Sequence, residues 1–222
     1  MGNTASVVFA RSGDVGALFL GSKRVLRDEA FMARVGAAVS LGLVVVDPAK
    51  HPNVQRRLRV YVGDDPESAP LLRERFAEVV RFIHDARRDG LDVLVHCSMG
   101  VSRSAAVVLA YLRSMFPDRH LTACLRWLRE VRPQASPNVG LMRELREWSV
   151  EGLEPFPSDV ERFFFKRETR GADAAAAAAA AHARDLWIPR RVDEVQFDEV
   201  LSPLVFARDF VGPSKPLVLH TA

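Results

Sequence analysis

Along most of the chain, short apolar runs alternate with longer stretches that are apolar on one side only. Ala17 to Leu20, closed by Gly21-Ser22, reads as a short strand and turn. Asp28 is placed to cap a helix reaching about Ala38, with Phe31, Val35 and Val39 at helical spacing. Leu41 to Val46 is wholly apolar and stops at Asp47-Pro48, the pattern of a buried strand. Leu58 to Val62 alternates charged and apolar residues, as a strand nearer an edge would. Leu71 to Arg87 is amphipathic, with Leu72, Phe76, Val79, Val80 and Ile83 on its apolar face. Leu91 to Val95 predicts a second buried strand. A helix is expected from Arg103 to Met115, ending before Pro117, with two more at Leu121 to Val131 and Val139 to Val150.

Apolar strands alternating with amphipathic helices predict an α/β fold: a central, mostly parallel sheet covered by helices on both faces. In such a sheet the chemistry belongs at the carboxyl ends of the strands. From Glu151 the texture changes. Pro155, Pro157 and Gly171 punctuate the chain, and Ala174 to Ala181 is unbroken alanine. Alanine favours helix, but a run without an apolar stripe has nothing to pack. The expected organisation is a tail over 1–7, a domain over 8–150, a linker over 151–185 and a partly ordered extension over 186–222.

Charge and cysteine content narrow the function. The net charge is +3. Residues 1–150 hold 22 Lys and Arg against 16 Asp and Glu, whereas residues 151–222 hold 9 against 12. A mildly basic first part suits an anionic substrate. The basic residues are scattered and lack an interleaved aromatic set, which argues against nucleic acid as a partner. The 2 cysteines, Cys97 and Cys124, are too few for a disulfide framework, and no Cys/His group has zinc-ligand spacing. Without an apolar run of about 18 residues or a basic-then-apolar leader, the expected setting is the cytoplasm or nucleus.

One segment carries chemistry: His96-Cys97-Ser98-Met99-Gly100-Val101-Ser102-Arg103-Ser104, between a predicted strand and a predicted helix. A thiol at that junction meets the positive end of the helix dipole and a nest of backbone N–H groups. Such sites lower a cysteine pKa from about 8.5 to roughly 3.5–7.5, giving a thiolate nucleophile. The residues from Ser98 to Ser102 are enough for the backbone to wrap a phosphate while the Arg103 guanidinium closes the ring bidentately. Gly100 supplies the positive φ of a tight loop. Ser104 is placed to donate to the thiolate and ease its departure, and His96 to fix the loop. Cys124 offers no such pattern and reads as a core thiol.

These residues resemble the dual-specificity branch of the protein tyrosine phosphatases, whose signature His-Cys-x-x-Gly-x-Ser-Arg-Ser is matched throughout 96–104. Ala17 to Ser22 looks like that family's opening strand. Arg132-Pro133, Pro137-Asn138 and Gly140-Leu141 look like its closing helix entry. The resemblance implies a protein tyrosine phosphatase-like fold over about 8–150. It implies hydrolysis of phosphotyrosine and phosphoserine/threonine in protein substrates through a cysteinyl-phosphate, without metal or cofactor. The family's acid is an aspartate on a loop ahead of the cysteine. Asp64 and Asp65 fall there, and Asp65 is favoured because Asp64 lies closer to the strand end. The loop filling lacks the lysines of the related lipid phosphatases, and neither the longer domain nor the Trp-Pro-Asp acid loop of the tyrosine-specific enzymes is seen.

Two terminal signals remain. Met1-Gly2-Asn3-Thr4-Ala5-Ser6 fits the N-myristoylation pattern, with Gly2 as acceptor. One acyl chain gives marginal, reversible membrane contact. Residues 202–216 resemble the lead-in segment of JmjC-type hydroxylases, but neither His182 nor His220 begins the His-x-Asp/Glu pair that their iron needs. No activity is assigned to that stretch.

Overall fold

The computed structural model describes residues 5–148 and 152–163, with the backbone of two short strands further on. Residues 1–168 form one compact unit. Its sheet has five strands: β1 (Ser6–Phe9), β2 (Leu18–Ser22), β3 (Val35–Leu41), β4 (Arg56–Val60) and β5 (Asp92–Cys97). Their order is β1-β2-β5-β3-β4. All neighbours are parallel except β1, which pairs antiparallel with β2 at the edge. The central strand β5 is buried at every position, which is why Val93, Leu94 and Val95 run apolar without alternation.

The helices are α1 (Glu29–Met32), α2 (Ala69–Arg88), α3 (Arg103–Met115), α4 (Leu121–Val131) and α5 (Val139–Glu147), with a further helical segment at 157–163. The period-2 alternation of the strands divides the core. Leu18, Leu20, Val39, Val93 and Val95 join the large cluster made with α2 to α5. Phe19, Ala38 and Leu94 join a smaller one with Val25, Met32, Val46 and Val54 on the opposite face. The predicted apolar face of α2 is the buried one: Leu72, Phe76, Val79, Val80 and Ile83. Helix α3 is buried around nearly its whole circumference, so it runs through the centre of the large cluster.

Four expectations are corrected. The helix predicted from Asp28 to Ala38 stops at Met32, and Val35–Leu41 is strand. Val35 and Val39 satisfy a helical spacing, but they equally satisfy a strand buried on both faces, and pairing with β4 and β5 decides it. The strand predicted at Leu41 to Val46 is therefore absent. Gly42, at φ 110, turns the chain off the sheet, and Leu43, Val44 and Val45 are exposed. The tail expected over 1–7 is already strand from Ser6, and Gly2 lies outside the described residues.

The packed unit also passes the expected boundary at 150. Phe163 joins the large cluster, and Asp159 is buried against Arg87. The alanine run and residues 202–216 lie outside the described residues. In the second unit, residues 169–222, the strands β6 (Asp193–Gln196) and β7 (Leu217–His220) pair in parallel.

Candidate active site

Cys97 is the last residue of β5 and Arg103 the first of α3, so the intervening loop sits at the carboxyl end of the central strand. Its backbone is oriented by its surroundings. The Ser98 carbonyl accepts from the Lys23 amide, and the Val101 carbonyl from the Ser136 amide at 2.9 Å. The Met99 and Gly100 carbonyls accept from Arg132, whose Nε reaches Gly100 at 2.7 Å. Four successive carbonyls are thus held by groups outside the loop. No peptide bond here is cis, and in a trans peptide the following N–H points the opposite way. The N–H groups of Met99 to Ser102 therefore face away from those partners, and the Met99 and Gly100 amides hydrogen-bond the Cys97 sulfur, as an anion cradle requires. Gly100, at φ 71, sits so close to Gly21 that a Cβ would meet its carbonyl oxygen at 2.6 Å.

The thiol of Cys97 is enclosed. Its Sγ lies 3.2 Å from the Ser104 hydroxyl and accepts from the Gly100 amide at 3.2 Å. Burial opposes ionisation, but hydrogen bonds from the Ser104 hydroxyl and amide, and from the Gly100 and Met99 amides, outweigh it. The thiol pKa is lowered. In Cys124 burial outweighs the nearby Arg113 and Arg119 charges and pushes the pKa up to about 11. Only Cys97 is a candidate nucleophile.

Arg103 lies across the mouth of the cradle. Its Nη1 donates to the Val62 carbonyl at 2.9 Å and its Nη2 to Ser98 Oγ at 3.3 Å. Its Nε stands 3.5 Å from Asp64 Oδ2. Asp64 also accepts from the side chain of Asn138, the N-cap of α5, whose own amide donates to Ser102 Oγ. Asp65 is employed differently. It caps the 3₁₀ turn at Pro66–Ser68 by accepting from the Ser68 amide at 2.7 Å. Hydrogen bonds from Ser68 hold its carboxyl below the usual range. The two aspartates are adjacent in sequence, and it is Asp64 that meets the arginine.

His96 is fully buried, with Nε2 at 2.8 Å from Ser40 Oγ on β3. Burial drives its pKa down to about 4. It ties two central strands together as a neutral ring. Two contributors were not singled out as site residues from sequence: Arg132, which holds two loop carbonyls, and Asn138, which joins the acid loop to the cradle. Each was visible only as part of the closing-helix pattern. Arg132 is depressed by burial, an effect opposed by the nearby Cys97 charge. Among the described residues no group of three or more His, Cys, Asp or Glu is arranged to hold a metal.

A thiol of lowered pKa at a strand–helix junction, beside loop amides and an arginine, defines a phosphate-handling enzyme of the cysteine-dependent class. Comparison with known proteins agrees. The family profile for the dual-specificity phosphatase catalytic domain matches residues 18–151, well over half the chain, and the chain belongs to that family. Protein phosphatase Slingshot homolog 3 of Homo sapiens is 51% identical over 82 residues, covering 37% of this chain and 12% of that protein. Dual specificity protein phosphatase 22-A of Danio rerio is 32% identical over 139 residues, covering 63% of this chain and 65% of that one. The crystal structure of human DUSP28 superposes with a TM-score of 0.56 at 30% identity, covering 66% of this chain and 93% of that chain. The chain thus spans only a small part of the Slingshot relative that it matches. The family profile stops at residue 151, and the JmjC-like likeness draws no support from these comparisons.

Proposed function

We propose that this chain hydrolyses phosphotyrosine and phosphoserine/threonine in protein substrates, by a two-step transfer through Cys97. The carrying observation is the Cys97 thiol held below its ordinary pKa under a cradle of inward-facing amides. The phosphoryl group enters the cradle, and Arg103 exchanges its contacts with Val62, Ser98 and Asp64 for two phosphoryl oxygens. Cys97 Sγ attacks phosphorus in line. The S–P bond forms as the P–O bond to the substrate breaks, and the departing oxygen takes a proton from the acid. Water then attacks the cysteinyl-phosphate and gives its proton to the same carboxylate. The S–P bond breaks, Ser104 donates to the returning thiolate, and inorganic phosphate leaves.

Two aspartates compete for the role of acid. Sequence position favours Asp65. Geometry favours Asp64, because its carboxylate already stands beside Arg103, whereas Asp65 is committed to Ser68. The test uses para-nitrophenyl phosphate and phosphopeptides with Cys97→Ser, Asp64→Asn and Asp65→Asn. Cys97→Ser is expected to abolish turnover while retaining phosphopeptide binding. Asp64→Asn is expected to lower phosphopeptide kcat by about 10²-fold or more, and Asp65→Asn by much less. Unchanged hydrolysis by Cys97→Ser would overturn the mechanism, and the reverse ranking of the aspartates would return the role to Asp65.

A further inference from the structure

Isolated apolar side chains on a protein surface need no explanation, but a concentration of them does. Six of the eight large apolar side chains exposed among the described residues belong to segments that touch the phosphate cradle: Leu43, Val44, Val45, Tyr61, Met99 and Val139. Leu43 to Val45 follow Gly42, where a Cβ would come within 2.6 Å of Arg103 Nη1. Tyr61 precedes Val62, whose carbonyl accepts from Arg103. Met99 is in the cradle itself. Val139 follows Asn138, which contacts both Ser102 and Asp64. Leu43, Met99 and Val139 are each more than 70% exposed, at 73%, 72% and 75%. Three separate segments that contact Arg103 or the loop, and the loop itself, thus carry the exposed apolar groups.

Leu43-Val44-Val45 continues an apolar run beyond the sheet, where it does no packing work in the core. Asp65 on the neighbouring acid loop, its carboxyl held below the usual range by Ser68, adds negative charge that disfavours an acidic flank on an incoming chain.

We infer that this rim selects phosphoprotein substrates whose phosphoresidue is flanked by apolar side chains. The inference rests on the phosphatase reading and adds the substrate class to it. The phosphoryl group anchors in the cradle, and residues on either side lie over Leu43, Tyr61 and Val139, removing apolar surface from water on both partners.

The test compares three phosphotyrosine peptides of one length: one with leucine and valine on both sides of the phosphoresidue, one with serine there and one with glutamate. The apolar-flanked peptide is expected to have a kcat/KM about tenfold or more above the serine-flanked one, as burial of two partly exposed apolar groups implies, with the glutamate-flanked peptide lowest. Leu43→Ser combined with Val139→Ser is expected to erase that preference and leave para-nitrophenyl phosphate hydrolysis unchanged. Binding of the same peptides to Cys97→Ser protein separates the two layers of argument. Selectivity in binding without turnover by the wild type would sustain the rim and overturn the phosphatase reading. Equal kcat/KM for the three peptides, a preference for glutamate, or a preference that survives the double substitution would overturn the rim.

Discussion

At the scale of single residues the site is governed by competition between burial and hydrogen bonding at Cys97. Enclosure alone raises a thiol pKa, as Cys124 shows at about 11. Cys97 is enclosed as well, yet its pKa falls, and Ser104 contributes most to the reversal. The sign follows directly. A lowered pKa means that thiolate persists below the ordinary thiol value of about 8.5 and is lost only on further acidification. Alkylation of Cys97 by iodoacetamide is therefore expected to titrate with a midpoint below that value. Ser104→Ala, which removes the largest stabilising bond, is expected to shift the midpoint upward while slowing release of the cysteinyl-phosphate. Mass-resolved alkylation against pH reads both thiols at once, with Cys124 inert across the range. An unmoved midpoint in Ser104→Ala would show that the loop amides suffice alone.

At the scale of elements, legibility in the sequence depended on whether a pattern had one physical reading. The face of α2 was legible because a long stripe at helical spacing has no alternative. The loop 96–104 was legible because its residue types are tied to a single chemistry. Val35 to Leu41 was not, since residues buried on both faces of a central strand mimic a short helix. Neither was the orientation of Asp64 and Asp65, which is set by contacts with Arg103, Ser68 and Asn138 that no local pattern encodes. The end of β3 turns on Gly42. Its positive φ takes the chain away from the sheet, and its lack of a Cβ makes room for the Arg103 guanidinium. Gly42→Ala places a side chain in a conformation that L residues rarely adopt and pushes against Arg103. The expected outcome is weaker inhibition by phosphate and a higher KM, with far-ultraviolet circular dichroism unchanged. Wild-type phosphate affinity in this variant would mean that Arg103 accommodates the methyl group by moving without loss.

At the scale of the molecule, the catalytic unit is closed by residues beyond the matched family profile, which ends at 151. Arg87, near the end of α2, is fully buried. It donates to the Gly16 carbonyl, to Tyr111 on α3 and, through two nitrogens at 2.5 and 2.9 Å, to Asp159 in the 157–163 helical segment. Burial disfavours the guanidinium charge, and Asp159 together with Tyr111 more than restores it. Removing one partner of such a pair leaves an uncompensated charge in the core, at a cost of about 3–5 kcal/mol. A chain ending at 151 would suffer that loss together with the stacking of Phe156 on His84 and the packing of Phe163. Asp159→Ala and a truncation after 151 are therefore both expected to melt roughly 10 °C or more below the intact chain. The double variant Arg87→Met with Asp159→Leu separates charge from packing: it removes both charges together, and its melting temperature should lie above that of Asp159→Ala. If the double variant instead melts no higher than Asp159→Ala, the segment holds by shape and the ion pair contributes nothing beyond it.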